Sequence, residues 1–167
     1  MSASTPTRSL GHNGPQIPAL GLGLMGLSSK PPTIDCLELG RLISWFSAFY
    51  GTKPPDEERF AFLDRAYELG CRHWDSASMY GDCEELLGRW FQRTGKRSEV
   101  KIPRQDLDAE SRTLYSLSNQ IFLTTKFGNF VTPEGGREIR NDPDFIRQSV
   151  VESLDKLQTD YVDLLYW

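Results

Sequence analysis

Asp75, Tyr80 and Lys126 are the residues whose types and spacing could do chemistry together. Asp75 and Tyr80 lie in the stretch Asp75-Ser-Ala-Ser-Met-Tyr80-Gly81, and Lys126 lies in Leu123-Thr-Thr-Lys126-Phe-Gly128. A free phenol has a pKa of about 10, too high for an efficient proton donor near pH 7. A neighbouring ammonium favours the phenolate and lowers that value, and a carboxylate paired with the ammonium keeps it charged and oriented. Together the three could make an acid that works at neutral pH. Spacing alone equally allows an ordinary Asp–Lys ion pair between neighbouring strands, with Tyr80 packing its loop.

The elements that must position these residues alternate between strand and helix. Leu10 to Gly14 reads as one arm and the turn of a small hairpin, because Asn13-Gly14 suits a tight turn. Ile17 to Gly26 follows as a short apolar strand with glycines. Residues 56–69 read as an amphipathic helix, with negative charge at Asp56–Glu58, Phe60, Leu63 and Tyr67 on one face, and Gly70 as its stop. Cys71–Ser76 is the next strand and Tyr80-Gly81 a turn. Asp82–Phe91 forms a second helix that puts Glu84 and Glu85 in its first turn and buries Leu86, Leu87, Trp90 and Phe91. Ile121–Lys126 is a third strand, followed by a Gly/Pro-rich loop. Asp142-Pro143 opens a third helix in the preferred cap-then-Pro order, with Ile146, Val150, Leu154 and Leu157 as its core face. Tyr161–Trp167 is a nearly continuous apolar run, which predicts a strand buried on both faces. This alternation predicts parallel βαβ units. Asp75 and Lys126 then end their strands, and Tyr80 lies on the loop just beyond, at the face where parallel barrels build their sites.

Gly21-Leu-Gly23-Leu-Met-Gly26 matches the glycine pattern of a dinucleotide-binding loop. That loop requires a helix to begin at once, so that its amides face the pyrophosphate. Leu27-Ser-Ser-Lys is instead followed by Pro31-Pro32, and the Rossmann reading is set aside.

Composition sets the outer limits. The 167 residues fit one globular domain, with 25% charged and 38% apolar residues. A net charge of −4 supplies no basic field for nucleic acid. No apolar run approaches the ~20 residues of a membrane-spanning helix. Met1–Leu10 lacks the apolar core of a secretory signal. Cys36, Cys71 and Cys83 form an odd set without C-x-x-C spacing, so neither a disulfide framework nor a zinc site is expected. A reducing cytosol follows as the expected compartment, with no bound metal.

Two segments break the rhythm. Residues 100–120 place a long polar stretch between the second helix and the third strand, where connections usually take a handful of residues. Residues 30–47 similarly interrupt the passage from the first apolar strand to the first helix. Removing both leaves loops of ordinary length. Val100-Lys101 can be encoded with a GT-A start and Gln120 with an AG end, as unspliced introns would have. Both segments are therefore expected to be insertions, read as retained introns, the other reading being functional insertions.

The chain resembles the aldo-keto reductase superfamily, in particular the group related to pyridoxal reductases and other reductases of small aldehydes. The resemblance rests on five stretches in order: Ile17–Gly26, Asp75–Gly81, Glu84-Glu-Leu-Leu-Gly88, Leu123–Gly128 and Asp160-Tyr-Val-Asp-Leu164. It implies an α/β fold, the N-terminal half of a (β/α)8 TIM barrel with an N-terminal β-hairpin, spanning residues 8–167 and truncated after strand 4. It also implies NADPH bound in extended form, and reduction of a small aldehyde or ketone. In the family pattern Asp75, Tyr80 and Lys126 belong to a catalytic tetrad. The tyrosine protonates the carbonyl oxygen as the nicotinamide delivers hydride to carbon. Gly23, Leu24, Met25 and Asp75 would lie near the nicotinamide.

The fourth tetrad member of the pattern, a histidine, follows directly after the strand represented by Leu164–Trp167. Neither His12, in the lead-in, nor His73, before Asp75 in its strand, matches it. The family's contacts to the 2′-phosphate and adenine come from the second half of the barrel. The expectation from sequence is thus a chain truncated before its histidine and cofactor cleft, and inactive as written. The alternative is a non-catalytic half-barrel or inert gene-model product. Tyr161–Trp167 would then be an apolar edge, and poor solubility or a non-native oligomer is expected.

Overall fold

The computed structural model describes residues 6–28, 53–97, 120–132 and 136–167. Both expected insertions lie outside the described residues, Gln120 apart, as does Cys36.

The lead-in is a hairpin of β1 (Thr7–Ser9) and β2 (Gln16–Pro18), antiparallel with Arg8 opposite Ile17. Its connection differs from the expected tight turn at Asn13-Gly14. Leu10 is not in the strand; its N–H donates to the Pro15 carbonyl at 2.9 Å and closes a wider loop. Gly11, at φ +75°, takes the left-handed position instead of Asn13. The apolar stretch after it is not one strand either. Pro18 ends β2, and the chain restarts as β3 (Gly21–Gly23) in a different sheet, then makes a 3-10 turn over Met25–Ser28.

The main sheet is parallel and four-stranded. Its order is β3, β4 (His73–Asp75), β5 (Phe122–Lys126) and β8 (Leu164–Tyr166). Between these strands run α1 (Asp56–Glu68), α2 (Cys83–Thr94) and α3 (Pro143–Leu157). Sequential parallel strands joined by helices are the βαβ units that the alternation predicts.

Alternation along β4 divides its residues between two faces. Trp74 is fully buried beneath the helices, with its ring centroid 4.9 Å from that of Trp90. His73 and Asp75 point to the other face. Leu63 of α1, Leu86 and Leu87 of α2, Leu123 of β5 and Leu157 of α3 complete the core around Trp74. All four residues expected to be buried on α2 are so.

Three expectations change. The Gly/Pro-rich loop after β5 contains a second hairpin, β6 (Asn129–Val131) with β7 (Arg137–Ile139). Helix α3 is capped by Asp142, whose carboxylate accepts the Phe145 N–H at 3.0 Å, but its deeply buried residues are Ser149, Ser153 and Leu157. Ile146, Val150 and Leu154 are only half-buried. Small residues line this face because α3 passes close to α2: a Cβ on Gly88 would stand 2.2 Å from the Lys156 carbonyl oxygen. Finally, the strand after α3 covers only Leu164–Tyr166 and is not buried on both faces. It is an edge of the described sheet. Before it, Asp163 takes the place of a ladder residue: its N–H donates to the Leu123 carbonyl and its Oδ2 accepts the Leu123 N–H at 2.8 Å.

Candidate functional site

Every strand of the main sheet ends on a residue of one cluster: β3 on Gly23, β4 on Asp75, β5 on Lys126 and β8 on Tyr166. The register makes this necessary. Gly23 pairs with Asp75, Asp75 with Thr124, and Lys126 with Tyr166. Parallel strands therefore deliver their carboxyl-terminal side chains to one edge, where open α/β folds place sites.

Lys126 is the centre of this cluster. Its Nζ donates to Asp75 Oδ2 at 2.7 Å, to the Ser76 carbonyl at 2.8 Å and to the Tyr80 hydroxyl at 3.2 Å. Burial opposes the ammonium, but the bonds to Asp75 and Tyr80 outweigh it and hold the Lys126 pKa above its ordinary value. An ammonium has three donors and no acceptor. All three are engaged, and the Tyr80 oxygen must accept, which leaves the Tyr80 hydrogen to point elsewhere.

The loop that carries Tyr80 is pinned at several points. Ser76 N–H donates to the Thr124 carbonyl at 2.8 Å, Ser78 N–H to the Lys126 carbonyl at 3.0 Å, and Tyr80 N–H to the Ala77 carbonyl at 3.0 Å. Gly81 turns the chain at φ +60°, and a Cβ there would stand 2.7 Å from the Ser28 carbonyl oxygen. Beneath the loop, the buried Ser76 hydroxyl lies 3.3 Å from Cys83 Sγ. Burial pushes the Cys83 thiol up to about 12, so it is an inert packing residue.

The sequence reasoning brought Asp75, Tyr80 and Lys126 forward, and the structure brings them together. It also adds Tyr166, whose hydroxyl donates to Asp75 Oδ1 at 2.9 Å. The rule that selected Asp75 and Lys126, the last residue of a parallel strand, also selects Tyr166; reading Tyr161–Trp167 only as an apolar run concealed it. Glu84, expected as a first-turn charge of α2, is instead buried, and its Oε1 accepts the Thr125 hydroxyl at 2.7 Å. Burial pushes the Glu84 carboxyl up, against the bonds from Thr125 and Ser153.

The residues expected near a cofactor divide. Gly23 is exposed, and a Cβ on it would meet nothing within 4 Å, so open space adjoins Asp75 at the strand ends. Met25 is half-buried beside it. Leu24 buries its side chain fully in the core, and its N–H donates to the Asp75 carbonyl at 3.0 Å. Alternation turns it away from the space that Gly23 opens. The opening at Gly23 leaves room for a flat group next to Asp75. His73 stands away from Tyr80, its ring edge-on to Phe122 at 5.5 Å. Among the described residues, no group of three or more His, Cys, Asp or Glu is placed to hold a metal. No described helix is long and apolar enough to cross a membrane.

The chain is similar to known proteins. Aldo-keto reductase str7 of Strobilurus tenacellus is 38% identical over 161 residues, 96% of this chain and 35% of the relative. Aldo-keto reductase yakc [NADP(+)] of Schizosaccharomyces pombe is 36% identical over 166 residues, 98% of this chain and 36% of the relative. The chain thus spans about a third of the length of the curated relatives it matches. The crystal structure of PA4992 from Pseudomonas aeruginosa superposes with a TM-score of 0.62, covering 99% of this chain and 49% of that one at 23% identity, which supports the shared barrel fold. The aldo/keto reductase family model matches residues 19–167, which include every strand of the main sheet, and the chain belongs to the aldo/keto reductase family.

Proposed function

We propose that this chain contributes the proton-donating site of an NADP(H)-dependent reduction of small aldehydes or ketones. The observation that carries the reading is the Lys126 ammonium, bonded to Asp75 Oδ2 and the Tyr80 hydroxyl at the carboxyl ends of adjacent strands. The name of the yeast relative, which carries NADP(+), supports the cofactor.

When bound, NADPH supplies a hydride to the carbonyl carbon. Gly23, Met25 and Asp75 are the residues that would hold its nicotinamide end. Tyr80 donates its free hydrogen to the carbonyl oxygen, so that the product is an alcohol. Lys126, already donating to the Tyr80 oxygen, stabilises the phenolate left behind. Asp75 keeps the ammonium charged and in place. Aromatic aldehydes, pyridoxal among them, are the substrate class to test first. On the same proposal the chain works in a reducing cytosol, the compartment expected from its odd set of cysteines without C-x-x-C spacing.

The test follows nicotinamide absorbance with NADPH and an aromatic aldehyde. In a chain that consumes NADPH, Tyr80→Phe is expected to lower turnover about 10²- to 10⁴-fold with NADPH binding retained. An undiminished rate in Tyr80→Phe would remove Tyr80 from the chemistry. A parent chain that binds no NADPH would support the non-catalytic half-barrel.

A further inference from the structure

Two phenols, not one, close on the Asp75–Lys126 pair, and they meet opposite partners. Tyr80 meets the ammonium at 3.2 Å, whereas Tyr166 meets the carboxylate at 2.9 Å. The difference fixes what each hydroxyl can do. A phenol facing an ammonium must accept and keeps its hydrogen free; a phenol facing a carboxylate must donate, and its hydrogen is committed.

We infer that Tyr166 is a positioning residue of the site: by donating to Oδ1 of Asp75 it fixes the carboxylate with Oδ2 on Lys126, and so holds the ammonium beneath Tyr80. The inference rests on the reading of Tyr80 as proton donor. The terminal torsion of an aspartate is broad and roughly two-fold, so one bond to Lys126 leaves the carboxylate free to rock. A second donor on the other oxygen removes that freedom. Tyr166 is itself well anchored. It pairs in register with Lys126, its carbonyl accepts the Phe127 N–H at 3.2 Å, and its ring centroid lies 5.3 Å from Lys126 Nζ. Burial and the bond to Asp75 raise the Tyr166 pKa, against the charge of Lys126 and a weaker hydrogen bond from it, which suits a hydroxyl that holds its proton on Asp75.

The test uses the full 167-residue chain with isotope-labelled lysine and tyrosine, titrated by NMR. Tyr166→Phe removes only the hydroxyl and leaves the ring. The Lys126 midpoint is expected to fall by about half a pH unit as its carboxylate partner loosens. An unchanged Lys126 midpoint would overturn the inference. Asp75→Asn is the second variant: the Tyr166 midpoint should move down toward the ordinary phenol value of about 10. A Tyr166 midpoint that stays in place would also overturn it. In aldehyde reduction, Tyr166→Phe should lower kcat about tenfold with KM for the aldehyde unchanged. An undiminished rate in Tyr80→Phe sinks the proton-donor reading alone, because the two titrations still decide the role of Tyr166.

Discussion

Arg59 and Asp82 hold the approach to the site. The Arg59 side chain has no exposed surface, yet it carries a full charge. Its guanidinium donates to both oxygens of Asp82, to the Leu27 carbonyl at 3.2 Å and to Asp56. Asp82 follows Gly81 and Tyr80, so this pair ties the Tyr80 loop to the turn beside Gly23. Burial alone would raise the Asp82 carboxyl, but bonds from Arg59 and Lys53 outweigh it and hold it well below the usual carboxylate range. A carboxyl whose folded value is depressed stabilises the fold above its unfolded value of about 3.9, and that stability is lost as pH falls through the folded value. Thermal melts from pH 7 to pH 2 should therefore show Tm falling on the acid side of pH 4. Asp82→Asn should lower stability at pH 7 by about 2 kcal/mol, less than for a fully buried pair because Asp82 is partly exposed. It should also flatten the acid limb, leaving the smaller share of Asp56 and Asp64, which are depressed as well. An acid limb as steep as that of the parent would show that Asp82 is not the group being titrated. Sequence spacing found Asp75, Tyr80 and Lys126 because strand ends are local features. It could not find buried Arg59, since an arginine on a helix reads as solvated until Asp82 is brought across to meet it.

Between elements, the contact of α2 with α3 decides how tightly the helices cover the sheet. Gly88 lies at the crossing, where an added Cβ would stand 2.2 Å from the Lys156 carbonyl oxygen and 3.0 Å from the Leu157 carbonyl carbon. Those are backbone atoms, which cannot swing aside as a side chain can. Gly88→Ala is therefore expected to separate the helices and cost about 1–3 kcal/mol, despite the better helix propensity of alanine. Urea unfolding measures this directly, with the exposed Glu152→Ala on α3 as a control expected within about 0.5 kcal/mol of the parent. A Gly88→Ala chain as stable as the parent would mean that the crossing is looser than its geometry. The same contact explains why the face of α3 was only partly legible. Periodicity points to Ile146, Val150 and Leu154, the large apolar residues. The close crossing instead selects Ser149 and Ser153, and only the partner glycine on another helix reveals that. Strand existence and order were legible because βαβ alternation leaves little choice. The β6–β7 hairpin was not, since its strands are only three residues long and carry no apolar alternation.

At the scale of the whole molecule, the main sheet closes across both segments that break the sequence rhythm. On one side, Arg59 donates to the Leu27 carbonyl and Lys53 bonds Asp82, so the chain returns beside the point it left. On the other, the buried Arg97 guanidinium donates to the Ile121 carbonyl at 2.7 Å, to the Tyr161 carbonyl at 2.8 Å and to Asp163 at 2.8 Å. Arg97 thus ties the chain just after α2 to both β5 and the entry to β8. Closing a loop costs more entropy as it lengthens, by about 0.6 kcal/mol per doubling. On the proposal that residues 30–47 and 100–120 are retained introns, a chain with Glu99 joined to Ile121 should keep its helical circular dichroism and melt no lower than the parent. Removing residues 30–47 as well, so that Ser47 and its predecessors no longer separate the 3-10 turn from α1, should have the same effect. Reads of mature message that skip both segments would establish the proposal at its source. Reads that span both, together with a deleted chain that fails to fold, would make them functional insertions on which the barrel depends.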